Sequence, residues 1–119
     1  MTTKRPTAAD PARDADAARA ATDNYFASEA AAASAADRPG IEQRRQAVAA
    51  GDRLTRSEAR LVLLSATDEP VRIGRDLIHG SAESNHAAFR EARDFVDAAR
   101  RGLTADGYDV ATFGAGGAR

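Results

Sequence analysis

Leu54-Thr55-Arg56-Ser57-Glu58-Ala59-Arg60-Leu61-Val62-Leu63-Leu64 sets the fold class of this chain. Thr55 and Glu58 are spaced as a capping box, in which hydroxyl and carboxylate each satisfy an otherwise unpaired backbone donor at a helix start. Leu54 precedes the cap, where it can staple against Ala59. The apolar run Leu61–Leu64 follows with no strand-like alternation, so the spacing predicts a helix that is apolar nearly all round and the most buried of the fold.

Helix signals continue on both sides. Ile41 to Ala50 reads as a short helix with Ile41, Arg45 and Val48 on one side and Gly51 as its stop. Downstream, Thr67-Asp68-Glu69-Pro70 reads as a second helix start, because proline is tolerated in a first turn. Val71, Ile73, Gly74, Leu77 and Ile78 then form a wide apolar face that ends near His79-Gly80. Ser81 opens a long helix to about Arg101, with Gly102 as its stop. Phe89, Ala92, Val96, Ala99 and Leu103 recur there at helical spacing beside Phe95. Its other face carries the opposite-charge pairs Arg90–Asp94, Arg93–Asp97 and Asp97–Arg101. Beyond the turn Ala105-Asp106-Gly107, residues 108–113 read either as a short strand or as an extended tail packing Tyr108, Val110 and Phe113. Gly114-Ala115-Gly116-Gly117 has linker composition.

Large apolar residues are distributed unevenly. Of 18 Leu, Ile, Val and Phe, 17 follow residue 40, and the front third holds only Phe26 beside Tyr25. Thirty of the 119 residues are Ala, and alanine methyls bury too little surface to offset the ordering of 40 residues. The front can still be helical: Asp10 suits an N-cap, Pro11 the first helical position, and Asp14 and Asp16 the positive end of the helix dipole. A helix from Pro11 to about Ala36 is predicted, stopping at Arg38-Pro39-Gly40. Its shallow stripe is Ala15, Ala18, Thr22, Tyr25, Phe26, Ala30 and Ala33. The expected organisation is therefore all-α: an N-terminal Ala-rich arm over 1–40 with a disordered start, a small helical bundle as core over 41–103, and a short irregular tail over 104–119. On this reading residues 1–37 are dispensable for folding, and Tyr25 and Phe26 anchor the arm on a protein partner or a second copy.

Composition narrows the function. With no Cys there is no disulfide framework and no thiolate ligand or nucleophile. Formal net charge is −1, unlike a basic nucleic-acid coat. No apolar run approaches a membrane span, and no apolar segment follows Met1-Thr2-Thr3-Lys4-Arg5-Pro6 to make a secretory signal, so a cytoplasmic location is expected. Sixteen of the 17 basic residues are Arg, a pattern of coding bias more than of chosen chemistry. Asp76, His79, Glu83 and His86 fall at spacings of three, four and three, but Gly80-Ser81 breaks the helix between them, so no metal site is expected. No serine lies in a nucleophile elbow, and the glycine-rich C-terminus lacks a phosphate-loop lysine. The expectation is a non-enzymatic interaction or assembly protein without a cofactor, of a kind common in bacterial or phage complexes.

The alternative is DNA binding through the Arg-rich middle. Residues 38–60 carry Arg38, Arg44, Arg45, Arg53, Arg56 and Arg60 against Glu42, Asp52 and Glu58, and these arginines are the candidate polyanion contacts. Taken as a helix-turn-helix from Ala47 and Gly51, the segment puts polar Ser57 and Arg60 at anchor positions. In a second register, Leu54-Thr55-Arg56-Ser57-Glu58 followed by Ile73-Gly74-Arg75-Asp76-Leu77 resembles the start of a LuxR-type DNA-binding domain over about 25 residues. The resemblance implies a helix-turn-helix whose recognition helix covers 81–101. Beyond it, the turn is displaced by a residue, Ser84 or Asn85 stands where an apolar anchor belongs, and no Arg or Lys precedes Arg90.

Overall fold

The computed structural model of the chain describes residues 10–78 and 84–110. They form four helices: α1 (Pro11–Ala32), α2 (Arg38–Ala49), α3 (Arg56–Ile78) and α4 (Ser84–Ala105). No strand occurs among the described residues. The all-α class is as the spacing predicts. The front of the chain is not as predicted.

α1 starts where the sequence places it. The Asp10 carboxylate accepts from the Arg13 backbone N–H at 3.1 Å, with proline in the first turn. It then packs into the bundle instead of reaching outward. α1 runs antiparallel to α4, with Asp14 beside Arg101 and Gly102, and it also contacts α2 and α3. Ala18, Ala21, Phe26 and Ala30 are buried, Phe26 to 5% exposure. Ala18, Ala21 and Phe26 share one core with Leu54, Ala59, Val62, Leu63, Val96, Ala99 and Leu103. The predicted stripe is thus largely correct in its residues and wrong in its partner. The physical reason is that a stripe of alanines lets helix axes approach closely, so a face with little apolar mass is covered by the larger side chains of α3 and α4.

Gly102 makes that approach possible. It does not end α4: it lies buried within the helix, and a Cβ there would stand 2.3 Å from the Asp14 carbonyl oxygen and 2.8 Å from the Ala18 methyl. α4 stops three residues later at Ala105, capped by Gly107, whose φ of +100° favours glycine. Tyr108 N–H donates to Leu103 O (3.1 Å) and Gly107 N–H to Thr104 O (3.0 Å), the pattern of a Schellman cap. The described part of the tail is irregular, and it packs Tyr108 and Val110 on the core. The Tyr108 hydroxyl accepts from Leu54 N–H at 2.8 Å.

Two further boundaries differ from the sequence reading. α1 ends at Ala32, and Arg38-Pro39-Gly40 opens α2 instead of closing α1, consistent with proline's tolerance in a first turn. The Arg38 guanidinium donates to the carbonyls of Ala30 and Ala33, each at 3.0 Å, and so closes α1 from outside it. α3 is continuous through Thr67–Pro70, with Pro70 buried inside it. A mid-helix proline removes one backbone bond, but the helix persists because Ala66 packs on the core on one side and Gly74 meets Phe89 on the other. The capping box at the start of α3 is present in both halves: Glu58 N–H to Thr55 Oγ1 at 3.0 Å and Thr55 N–H to Glu58 Oε1 at 2.8 Å.

Substitutions at two helical glycines should have opposite signs. Gly102→Ala should destabilise by about 1–3 kcal/mol through overpacking against α1. Gly40→Ala, with nothing within 4 Å of its Cβ position, should stabilise by about 0.4–1 kcal/mol. Phe26→Ala should cost about 3–5 kcal/mol. Removal of residues 1–37 should leave a chain without a cooperative melt, since it uncovers the core face of α4. Thermal unfolding followed by circular dichroism measures all four.

Candidate interaction surface

The arginines of the middle segment are mostly engaged within the molecule. Arg44 forms a two-pronged pair with Glu58 (Nε–Oε2 2.8 Å, Nη2–Oε1 2.6 Å) and also donates to Arg53 O at 2.8 Å. Arg45 holds Asp23 of α1 in the same way, at 2.7 and 2.8 Å. Arg53 donates to Asp106 O at 3.0 Å, and its guanidinium lies 4.6 Å from the centre of the Tyr108 ring. With Arg38 closing α1, four of the six candidate polyanion contacts tie α2 and the α2–α3 loop to the rest of the bundle. Arg56 and Arg60 are exposed on the first two turns of α3. The two helices that the LuxR-type pattern separates are here one helix, α3.

These pairs carry electrostatic signatures. Glu58 is held below the usual carboxylate range, first by the hydrogen bonds from Arg44 and then by the backbone and hydroxyl of Thr55, against a desolvation cost. Asp23 is lowered by its bonds from Arg45. The partners Arg44 and Arg45 are raised correspondingly. Burial pushes the Tyr25 phenol up, assisted by the negative charges of Glu29 and Glu58.

Neither aromatic of α1 is placed as a free anchor. Phe26 is in the core, and Tyr25 is half-buried with its ring edge-on to Phe26 at 5.0 Å. Docking through this pair would require α1 to leave the bundle. An open cleft of about 450 Å³ lies between α1, the α2–α3 loop and the tail. Phe26, Leu54 and Leu103 line it beside the Asp23–Arg45 pair and Asp52. Its polar groups include no nucleophile set against a base. Among the described residues no group of three His, Asp or Glu side chains is gathered for a metal. His79 and Glu83 of the spaced set lie outside the described residues, as do Phe113 and the glycine-rich C-terminus.

The outer face of α3 is different. Its inner face supplies Ala59, Val62, Leu63 and Ala66 to the core. On the opposite side Leu61, Leu64, Val71 and Ile78 stand 41%, 48%, 57% and 82% exposed. With Asp68 and Arg75 between them these positions are spaced three, four, three, four and three, which at 3.6 residues per turn is one face of a helix. The face continues over Val71, Gly74 and Ile78 into a shallow groove against Phe89 of α4, edged by Arg75 and Arg93. The all-round apolar character of Leu61–Leu64 therefore marks a helix with two apolar faces, only one of which the bundle covers. The sequence signal that could have found it is the second heptad series, 61-64-68-71-75-78, running alongside the core series.

No helix among the described residues is long and apolar enough to cross a membrane. Because the Glu58 and Asp23 pKa values are depressed in the folded state, their stabilisation is full above the unfolded carboxylate range and is lost as pH falls through the folded values. The melting temperature should be flat from neutral pH to about 5 and fall below about pH 4. Glu58→Gln should lower it at neutral pH and flatten the acid decline, which a pH series of thermal melts reads directly. Comparison of the chain with protein-family models, curated proteins and solved structures finds no match.

Proposed function

We propose that this chain is a non-enzymatic helical interaction protein that docks through the outer face of α3. One observation carries the reading: four large apolar side chains stand exposed at heptad spacing on a helix whose other face is fully used. Full burial of such a side chain is worth roughly 1.5–3 kcal/mol, and a partner would recover the share of it that corresponds to the fraction still exposed. Exposed large apolar side chains aligned on one helix face mark contact sites more often than scattered single residues do. α1, the docking element expected from the sequence, supports the surface indirectly by completing the bundle that holds α3. DNA binding through the Arg-rich middle has less support, because Arg38, Arg44, Arg45 and Arg53 already have intramolecular partners.

Leu61→Glu with Leu64→Glu should leave the thermal melt of an isolated chain within about 0.5 kcal/mol of the parent, as expected for exposed positions, and should abolish association. A photo-crosslinking residue placed at Leu64 in cells should yield a covalent adduct that the Leu61→Glu, Val71→Glu background loses. Absence of any adduct at Leu64 would remove the basis of this reading.

A further inference from the structure

We infer that the occupant of the α3 face is a second copy of this chain, with the two α3 helices antiparallel about a two-fold axis. This rests on the reading of that face as the docking surface and adds the partner's identity. Charge complementarity between two copies of the face points to this occupant. The face spans 17 residue steps, about 26 Å, with apolar residues at both ends and charges between: Asp68 nearer the start, Arg72 on the flank and Arg75 nearer the end. In parallel register each charge would meet its own copy, Asp68 against Asp68 and Arg75 against Arg75, and like charges apposed in an interface are strongly unfavourable.

Antiparallel pairing removes the conflict. With Leu61 set opposite Ile78 of the second copy, Leu64 falls opposite Arg75 and Asp68 opposite Val71. Asp68 is then one residue from level with Arg72 of the second copy and one turn from its Arg75. An arginine stem lies over apolar surface while its guanidinium reaches along the helix, so Arg75 covers Leu64 and meets Asp68. The two-fold repeats every contact, as a self-complementary interface requires. Within one chain Arg72 pairs with Glu69 on the exposed flank, where it is free to be shared. A formal net charge of −1 adds little repulsion between copies.

The chain has no cysteine, so the geometry can be tested by single introductions. Leu61→Cys and Ile78→Cys chains, treated with a short bismaleimide, should crosslink when mixed and not when either is alone. Sedimentation velocity of the unmodified protein from low micromolar to submillimolar concentration should give twice the chain mass. Asp68→Arg alone, and Arg72→Asp with Arg75→Asp alone, should each weaken association by about tenfold or more; mixing the two variants should restore it, because every apposed pair is again opposite in sign. The inference is overturned by a single-chain mass throughout that range, by crosslinks within either cysteine variant alone, or by charge variants that associate like the parent. If the purified protein is monomeric while the Leu64 photo-adduct joins it to a different protein, only the second copy is wrong. If it is monomeric and no adduct forms, the docking surface itself fails.

Discussion

The bundle depends on the close crossing of α1 and α4 at Gly102. With hydrogen in place of a side chain, the α1 backbone at Asp14 and the methyl of Ala18 sit against the α4 backbone. Beside this crossing the Asp14 carboxylate, 11% exposed, receives Arg101 at 3.1 and 3.2 Å. Both chemistries are short-ranged and directional, so together they fix the depth and the register of α1. Three turns further along, that register delivers Phe26 into the space between α1 and α3. An Ala-rich helix supplies little apolar mass of its own; it folds here because a glycine opposite lets larger residues elsewhere cover it.

Once α1 is placed, arginines secure the remaining elements. α2 has no fully buried residue; Ile41 and Val48 pack partly buried on the core, and the Arg45–Asp23 pair and Arg38 on the α1 carbonyls add to its hold on α1. Arg44 locks α2 to the capping box of α3, and Arg53 with Tyr108 joins the α2–α3 loop to the tail. Each is a forked cation satisfying a carboxylate, a carbonyl or an aromatic face, for which guanidinium geometry suits better than an ammonium. A segment that reads as a basic patch along the chain is largely an internal bracing in space. The bracing leaves the outer face of α3 uncovered.

Most helix starts and apolar faces are legible in the residue order, because their signals are local. The Asp10 cap, the Thr55–Glu58 box, the left-handed Gly51 and the periodic face of α4 each act over four to seven residues, and each is where the spacing puts it. Where a signal was ambiguous between neighbours, tertiary contacts chose. Pro39 opens a helix and Pro70 sits inside one, although both are compatible with a first turn. Gly102 packs and Gly107 terminates, although both follow an apolar periodic run.

Which face meets which was settled by packing. Ala18, Thr22 and Phe26 read as a stripe without a partner, because nothing in the order of residues tells that Gly102, more than 70 positions away, makes room for them. Leu61 and Leu64 read as core, because apolar character along a helix says that a side chain prefers to leave water and not what will cover it. Local propensity is written residue by residue, whereas burial belongs to pairs of surfaces, and those pairs exist only once the chain has folded.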